Sequence, residues 1–166
     1  ALVVSHTGEL IAGSEINGAV TGTLARWNGT NWSAIAGAPH VSGMALLPNG
    51  GLVVGGPLSV GSWNGSAWST IGYFGEPVYS VAALPNGEIL AAGGLTIGSS
   101  GKGIVRWNGA TWAPVVAGMD AEVRALLVRF DGSAEVGGTF TSVGTVVSPC
   151  HAVIATTCPA TAIPTG

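Results

Sequence analysis

The chain has eight carboxylates that could act as acids or bases, and their positions decide whether any two form a catalytic pair. A glycoside hydrolase needs two acids that converge across one bond. Glu9 and Glu88 instead follow the glycine of two equivalent turns, which is typical of solvated hairpin residues. Asp120 and Glu122 stand beside Arg124, and a surface ion pair is the expected role of this cluster. The other carboxylates are Glu15, Glu76, Asp131 and Glu135.

The residues that could bind a metal or act as a nucleophile also lack the spacing of a known site. His6, His40 and His151 lie in different parts of the chain, without the paired spacing that a zinc site needs. There is no serine in a Gly-x-Ser-x-Gly context and no calcium loop of the Asp-x-Asp-x-Asp-Gly kind. The sequence therefore predicts no catalytic residue, no metal and no cofactor, and we expect that the chain is not an enzyme.

Composition narrows the class of protein. Among 166 residues, 28 are glycine and only 8% are charged, where about 25% is usual. The surface must therefore consist largely of Ser, Thr, Asn and Gly. A net charge of −3 with five basic residues excludes nucleic acid as a partner, because phosphates require clustered Lys and Arg. No apolar run approaches the ~18 residues of a membrane span.

The residues that do recur at a fixed spacing are the tryptophans. The two tryptophans of each pair are five positions apart, and an Asn-Gly directly follows the first, within residues 26–33, 62–69 and 106–113. The pairs are Trp27 with Trp32, Trp63 with Trp68, and Trp107 with Trp112. We expect these side chains to fill the wedges between neighbouring repeats, since large aromatic residues are seldom left in solvent three times in register. Stacking on sugar rings is the alternative role.

Two further features repeat with the tryptophan pairs in a fixed order. A turn comes first and a small-residue pair, most often Gly-Gly, comes second. The turns are residues 6–8, 48–50, 85–87 and 130–132, and the small pairs are residues 12–13, 55–56, 93–94 and 137–138. Four units of roughly 40 residues result, a period that is typical of propellers and solenoids.

Each unit predicts four short antiparallel strands. The segments are apolar, rich in β-branched residues and bounded by turn residues, which is the pattern of strands rather than helices. Residues 44–47 and 52–54 flank Pro48-Asn49-Gly50 and predict a hairpin. Asn-Gly favours a tight primed turn, in which both central residues have positive φ.

This order of features resembles the kelch type of β-propeller repeat. Trp27, Trp63 and Trp107 match the tyrosine of that repeat, and Trp32, Trp68 and Trp112 match its tryptophan. The closer resemblance is to the Trp-Asn/Asp-Gly-x-x-Trp repeats of large secreted bacterial proteins. It implies an all-β, kelch-like propeller of four-stranded antiparallel blades over residues 1–158, with units at about 1–37, 38–73, 74–118 and 119–158. Residues 159–166 are expected to be a tail or linker.

The two ends of this repeat array do not match. The fourth unit has no tryptophan pair, and after Gly137-Gly138 only residues 151–155 predict another strand, so the last blade is incomplete. Either the tail fills the gap or the propeller continues outside this sequence, and both remain open. The chain starts inside a repeat without a signal-peptide pattern, so we expect it to be a mature part of a longer protein.

The two cysteines bear on the redox compartment in which the protein is found. Cys150 and Cys158 flank the last predicted strand, and an extended segment would hold their Cα atoms about 26 Å apart, too far for a disulfide. The two can pair only if that segment is a loop or a hairpin. In the repeats that this chain resembles, the closing cysteine pairs with a later one, which leaves Cys158 without its partner here. Together with the Ser, Thr and Asn surface, this favours an exported, oxidising setting.

The sequence thus predicts a non-catalytic propeller module for binding or scaffolding on a larger secreted or cell-surface protein. Its expected partners are protein segments or subunits that complete the propeller. The alternative is a carbohydrate-binding propeller whose sites lie between blades. The loop residues expected to face that ligand are Asn17, Ser99, Ser100, Thr141 and Ser142.

Overall fold

The computed structural model describes residues 1–14, 23–99 and 101–156. The regular secondary structure within these ranges consists of β-strands alone. The first sheet contains β1 (Leu2–Val4), β2 (Leu10–Ser14), β3 (Thr23–Trp27) and β4 (Trp32–Ile35). The second contains β5 (Gly43–Leu46), β6 (Leu52–Gly55), β7 (Ser59–Trp63) and β8 (Trp68–Tyr73). Neighbouring strands in each sheet are antiparallel and consecutive in the chain.

The third and fourth sheets have the same strand order, but the third has two additional strands and the fourth has three strands in the described residues. The third contains β9 (Val78–Ala83), β10 (Ile89–Thr96), β11 (Lys102–Trp107) and β12 (Trp112–Met119). The hairpin of β15 (Ser142–Val143) and β16 (Val146–Val147) extends it beyond β12. The fourth contains β13 (Val123–Val128), β14 (Ser133–Gly138) and β17 (His151–Ala155).

These four sheets are the blades of a four-bladed, all-β propeller, which confirms the predicted fold class. The prediction of an incomplete last blade also holds for the described residues, because the fourth sheet there has three strands. The inner strands pack in sequence, β1 on β5, β5 on β9 and β9 on β13. Among the described residues, no contact of similar extent joins β13 to β1.

The hydrophobic core is divided among the spaces between blades. One cluster joins the first and second blades, another the second and third, and a third the third and fourth. We call the side of a blade that faces the preceding blade its rear face, and the side that faces the following blade its leading face. Because side chains alternate along a strand, each blade contributes one set of residues to each face.

The turns between the first two strands of each blade differ from the primed turn that the sequence predicts. Glycine alone adopts positive φ there, as at Gly50 (+85°) and Gly87 (+86°), and no Asn does so in the described part of the chain. The Asn49 side chain instead accepts the backbone N–H of Gly51 at 3.0 Å. This combination is a type I turn followed by a left-handed glycine, so the prediction of a primed turn is wrong.

Candidate functional site

The rear face of the first blade keeps the apolar pattern of the faces between blades. In the second blade the rear face packs against the first blade through six side chains, Met44, Leu46, Leu52, Val54, Trp63 and Trp68. Strand register places Leu2, Val4, Leu10, Ala12, Trp27 and Trp32 at the equivalent positions of the first blade. All six residues of this first-blade rear face are apolar.

No blade precedes the first one in the described structure, and its rear face is correspondingly open. Leu2 is 62% exposed, Val4 is 60% exposed and Trp32 is 51% exposed. The rings of Trp27 and Trp32 lie 5.5 Å apart, close to the 5.3 Å of Trp63 and Trp68. The first blade therefore presents a tryptophan pair of the internal kind with no blade packed on it.

The same motif is packed where a blade does precede it. Trp107 and Trp112 lie against the second blade, and Phe74 meets the Trp112 ring edge-on at 5.3 Å. The Trp112 indole N–H also donates to the Ile71 carbonyl of the second blade at 2.7 Å. Contact with the preceding blade, rather than the motif itself, thus determines whether a tryptophan pair is covered.

The leading face of the fourth blade differs from the others in charge. In the third blade, Leu84, Leu90 and Ile104 are buried on the leading face. Equivalent turn and register positions in the fourth blade hold Arg129, Glu135 and His151, in that order. The aliphatic centre of an internal interface is therefore replaced by polar, ionisable side chains.

These three side chains form a ladder across the strands of the fourth blade. Arg129 Nε lies 3.4 Å from one carboxylate oxygen of Glu135, and His151 Nε2 lies 3.4 Å from the other. Arg129 and His151 are exposed, and Glu135 is half-buried. Leu127 and Val153 pair with Glu135 in the strand register and share this face, where they are 62% and 51% exposed. The ladder is therefore a polar strip at the centre of a face that also carries apolar side chains.

The structure describes three of the five loop residues that are predicted to face a ligand. Asn17 and Ser100 lie outside the described residues, and Ser99 is exposed in the loop that follows β10. Thr141 precedes β15 and Ser142 begins it, and the backbone N–H groups of both donate to Asp120.

Asp120 accepts three hydrogen bonds from this loop. The Thr141 hydroxyl donates to one carboxylate oxygen, while the backbone N–H groups of Thr141 (2.7 Å) and Ser142 (3.1 Å) donate to the other. These bonds, that of the hydroxyl above all, lower the pKa of Asp120 to about 2. Thr141 thus fastens the loop to the connection between the third and fourth blades.

A cleft of 290 Å³ lies between the second and third blades, near Ser99. Its walls include Phe74, Trp112 and Glu76. The Thr96 hydroxyl donates to Glu76 at 2.7 Å and Lys102 Nζ lies 3.1 Å from it. The pKa of Glu76 is lowered, first by the Thr96 hydroxyl and further by Lys102. The cleft combines aromatic surface with a fixed carboxylate.

The remaining candidate residues are the predicted charged cluster and the cysteines. The expected surface ion pair forms between Arg124 and Glu122, and the Arg124 guanidinium also lies 4.2 Å above the Tyr79 ring. Cys150 is exposed just before β17, whereas Cys158 and the tail 159–166 fall outside the described residues.

In residues 1–14, 23–99 and 101–156, no group of three or more His, Cys, Asp and Glu side chains could hold a metal ion. The same ranges contain no helix of the length and hydrophobicity needed to cross a bilayer.

Comparison with known proteins supports the fold but gives no family. No protein-family model matches the chain, and no curated protein matches its sequence. Among solved structures, PorZ of Porphyromonas gingivalis, an essential bacterial surface component of the type-IX secretion system, aligns with a TM-score of 0.62 and 17% identity over 87% of this chain and 23% of PorZ. The kelch-like identity of the repeats thus remains a resemblance.

Two other solved structures align over more of their length. A luciferin-regenerating enzyme matches with a TM-score of 0.68 and 14% identity over 93% of this chain and 60% of that one. A gluconolactonase-like protein matches with a TM-score of 0.62 and 14% identity, covering 93% of this chain and 57% of its own. The present chain therefore spans 60% or less of each of these propeller proteins.

These neighbours correct one expectation from the sequence. The prediction that the chain is not an enzyme is contradicted, because a luciferin-regenerating enzyme and a gluconolactonase-like protein share its architecture. At these identities the fold alone is shared. A propeller fold and the absence of a familiar motif are therefore no ground for excluding catalysis.

Proposed function

We propose that this chain is a binding or scaffolding segment of a larger secreted or cell-surface protein, and that the first-blade rear face is where it attaches to further protein. The observation that carries this proposal is the exposure of Leu2, Val4 and Trp32, whose second-blade counterparts are packed. Contiguous apolar surface of this kind is characteristic of interaction sites on soluble proteins.

Composition supports the extracellular part of the proposal. Only 8% of the residues are charged, and a surface of Ser, Thr, Asn and Gly suits an exported protein. PorZ, which shares the fold, is described as a bacterial surface component. Digestion of intact cells with an added protease tests this setting directly: cleavage of the chain is expected, whereas cleavage only after lysis would contradict an exposed location.

Site-specific photo-crosslinking in the organism that makes the protein tests the attachment face. A benzoylphenylalanine placed at Val4 is expected to yield an adduct with another polypeptide segment, because Val4 lies in the exposed apolar face. The matched control is the same probe at Phe130, an exposed aromatic residue in a turn of the fourth blade. Absence of any protein adduct at Val4, or equal adducts at both positions, would contradict the proposal.

Carbohydrate binding is the second candidate, and the cleft between the second and third blades favours it. An aromatic wall of Phe74 and Trp112 beside the Glu76 carboxylate offers both stacking surface and a hydrogen-bond acceptor. In a glycan-array experiment, Phe74→Ala is expected to abolish retention of any glycan that the wild-type chain binds. Trp32→Ala is the control, since Trp32 lies away from the cleft, and no retention by the wild-type chain would contradict this candidate.

A further inference from the structure

We propose that the occupant of the first-blade rear face is another propeller blade, docked in the register of the internal interfaces and presenting an aliphatic leading face. This inference rests on the proposed function and names its partner. It starts from the fact that the first-blade rear face has the same register and the same tryptophan pair as the second-blade rear face.

The internal interfaces define what such a face packs against. The second-blade rear face lies on Ile11 and Leu24 of the first blade, which are 5% and 1% exposed. The third-blade rear face lies on Val53 and Val60 of the second blade, both fully buried. In each case a tryptophan pair and aliphatic residues meet aliphatic side chains at the centre of the neighbouring sheet. Continuation of this interface requires a partner with aliphatic residues at those two positions.

A second copy of this chain does not meet that requirement. The leading face that a copy leaves free belongs to its fourth blade, where Glu135 and His151 stand in place of the two central aliphatic residues. Docking would bury the ladder of Arg129, Glu135 and His151 against a face that has no charged member. Desolvation of ionisable groups without new partners is costly.

The two ends of the four-bladed segment therefore have different roles. The first-blade rear face continues the internal pattern, whereas the leading face of the fourth blade interrupts it at the centre with the ladder of Arg129, Glu135 and His151. The proposed blade is added on the side of β1. The occupant is a blade of the aliphatic type that precedes Ala1 in the same polypeptide, because the interfaces between blades in the described structure join consecutive segments of one chain.

The test adds such a blade to the full chain. An extra copy of residues 38–79, which contain the second blade and its connection into the third, is fused ahead of Ala1. Leu2 pairs with Ala12 as Val81 pairs with Ala91, so Ala1 takes the place of Ser80 and the native length of the connection is kept. We expect one cooperative unfolding transition with its urea midpoint shifted upward relative to the unmodified chain. An unchanged midpoint of the original 166 residues, with the extra blade unfolding separately, would overturn the proposal.

Two matched variants make the result specific. The added copy with Val53→Glu and Val60→His reproduces the fourth-blade leading face and is expected to lose the upward shift. Trp32→Ser in the original chain, combined with the unmodified added blade, is expected to reduce the shift while the chain still folds. Equal shifts in all three proteins would overturn the proposal, because the stabilisation would not depend on the face.

Three other outcomes separate this inference from the proposed function. If sedimentation velocity shows that the unmodified chain forms a dimer that Trp32→Ser abolishes, the occupant is a second copy and the inference is wrong. If crosslinking at Val4 captures only a segment without propeller repeats, the inference is wrong while the proposed function stands. If the added blade stabilises the chain but Val4 gives no protein adduct in cells, the proposed function fails and the docking geometry stands.

Discussion

Trp112 of β12 donates its indole N–H to the backbone carbonyl of Ile71 in β8, with 2.7 Å between Nε1 and O. The bond joins the outermost long strand of the third blade to that of the second. A side chain of the repeat motif is thus tied by a directional contact to the blade before it, in addition to its apolar packing. Trp32 holds the equivalent position in the first blade and is half exposed.

Substitutions at these two tryptophans should differ in cost. Trp112→Phe is expected to lower the free energy of unfolding by about 1 kcal/mol through loss of the hydrogen bond. Trp112→Ala should lower it by ~3–5 kcal/mol, as for other large aromatic residues in a core. Trp32→Phe and Trp32→Ala are the controls, with losses of about 1 kcal/mol or less expected for an exposed side chain. Equal losses at both sites in urea unfolding would show that the first-blade rear face is already covered.

The turn glycines should act through backbone conformation alone. Gly87 has a φ of +86°, and a Cβ built there meets no atom within 4 Å. Gly87→Val is therefore expected to destabilise the chain by ~1–2 kcal/mol because an L-residue is strained in the left-handed region. Gly87→Asn is the matched control and should cost less, since Asn tolerates that region. Thermal melts of both variants decide the matter, and an identical melting temperature for the two would contradict this account.

Asp120 should make the loop of Thr141 sensitive to acid. The pKa of Asp120 is about 2 in the folded chain, below its ordinary value of 3.8. A depressed folded pKa stabilises the chain above the unfolded value, and this contribution disappears as the pH falls through the folded value. The melting temperature of wild type should exceed that of Thr141→Val above about pH 4, and the difference should shrink as the pH approaches 2. A constant difference down to pH 2 would mean that the carboxylate is not involved.

Local features of the sequence were sufficient to predict the blades. Each turn lies between strands that are neighbours in both the chain and the sheet, so the order of turn, small pair and tryptophan unit carries the topology. The β15–β16 hairpin could not be predicted in this way, because Val143 pairs with Met119 far back in the chain. The bonds from Thr141 to Asp120 also join distant segments, and no spacing in the sequence indicates them.

Whether each blade face is covered, and whether it is apolar or charged, was harder to predict than the blades themselves. Trp32 and Trp112 have the same motif, and what covers them belongs to the preceding blade rather than to the motif. The fourth-blade ladder had a detectable signal, since Glu135 follows its turn glycine at the distance at which Leu90 follows Gly87. Recognising it required the strand register that pairs Gly137 with His151.

Hydroxyl-radical footprinting of the six tryptophans in the isolated, monomeric chain tests the central claim most directly. We predict that Trp32 is oxidised much faster than Trp112, because the first-blade rear face is open and the third-blade rear face is packed against the second blade. His151 should also react readily, since it lies in the exposed ladder. If Trp32 is protected as strongly as Trp112 in the monomer, the first blade is covered from within the chain and the account is wrong.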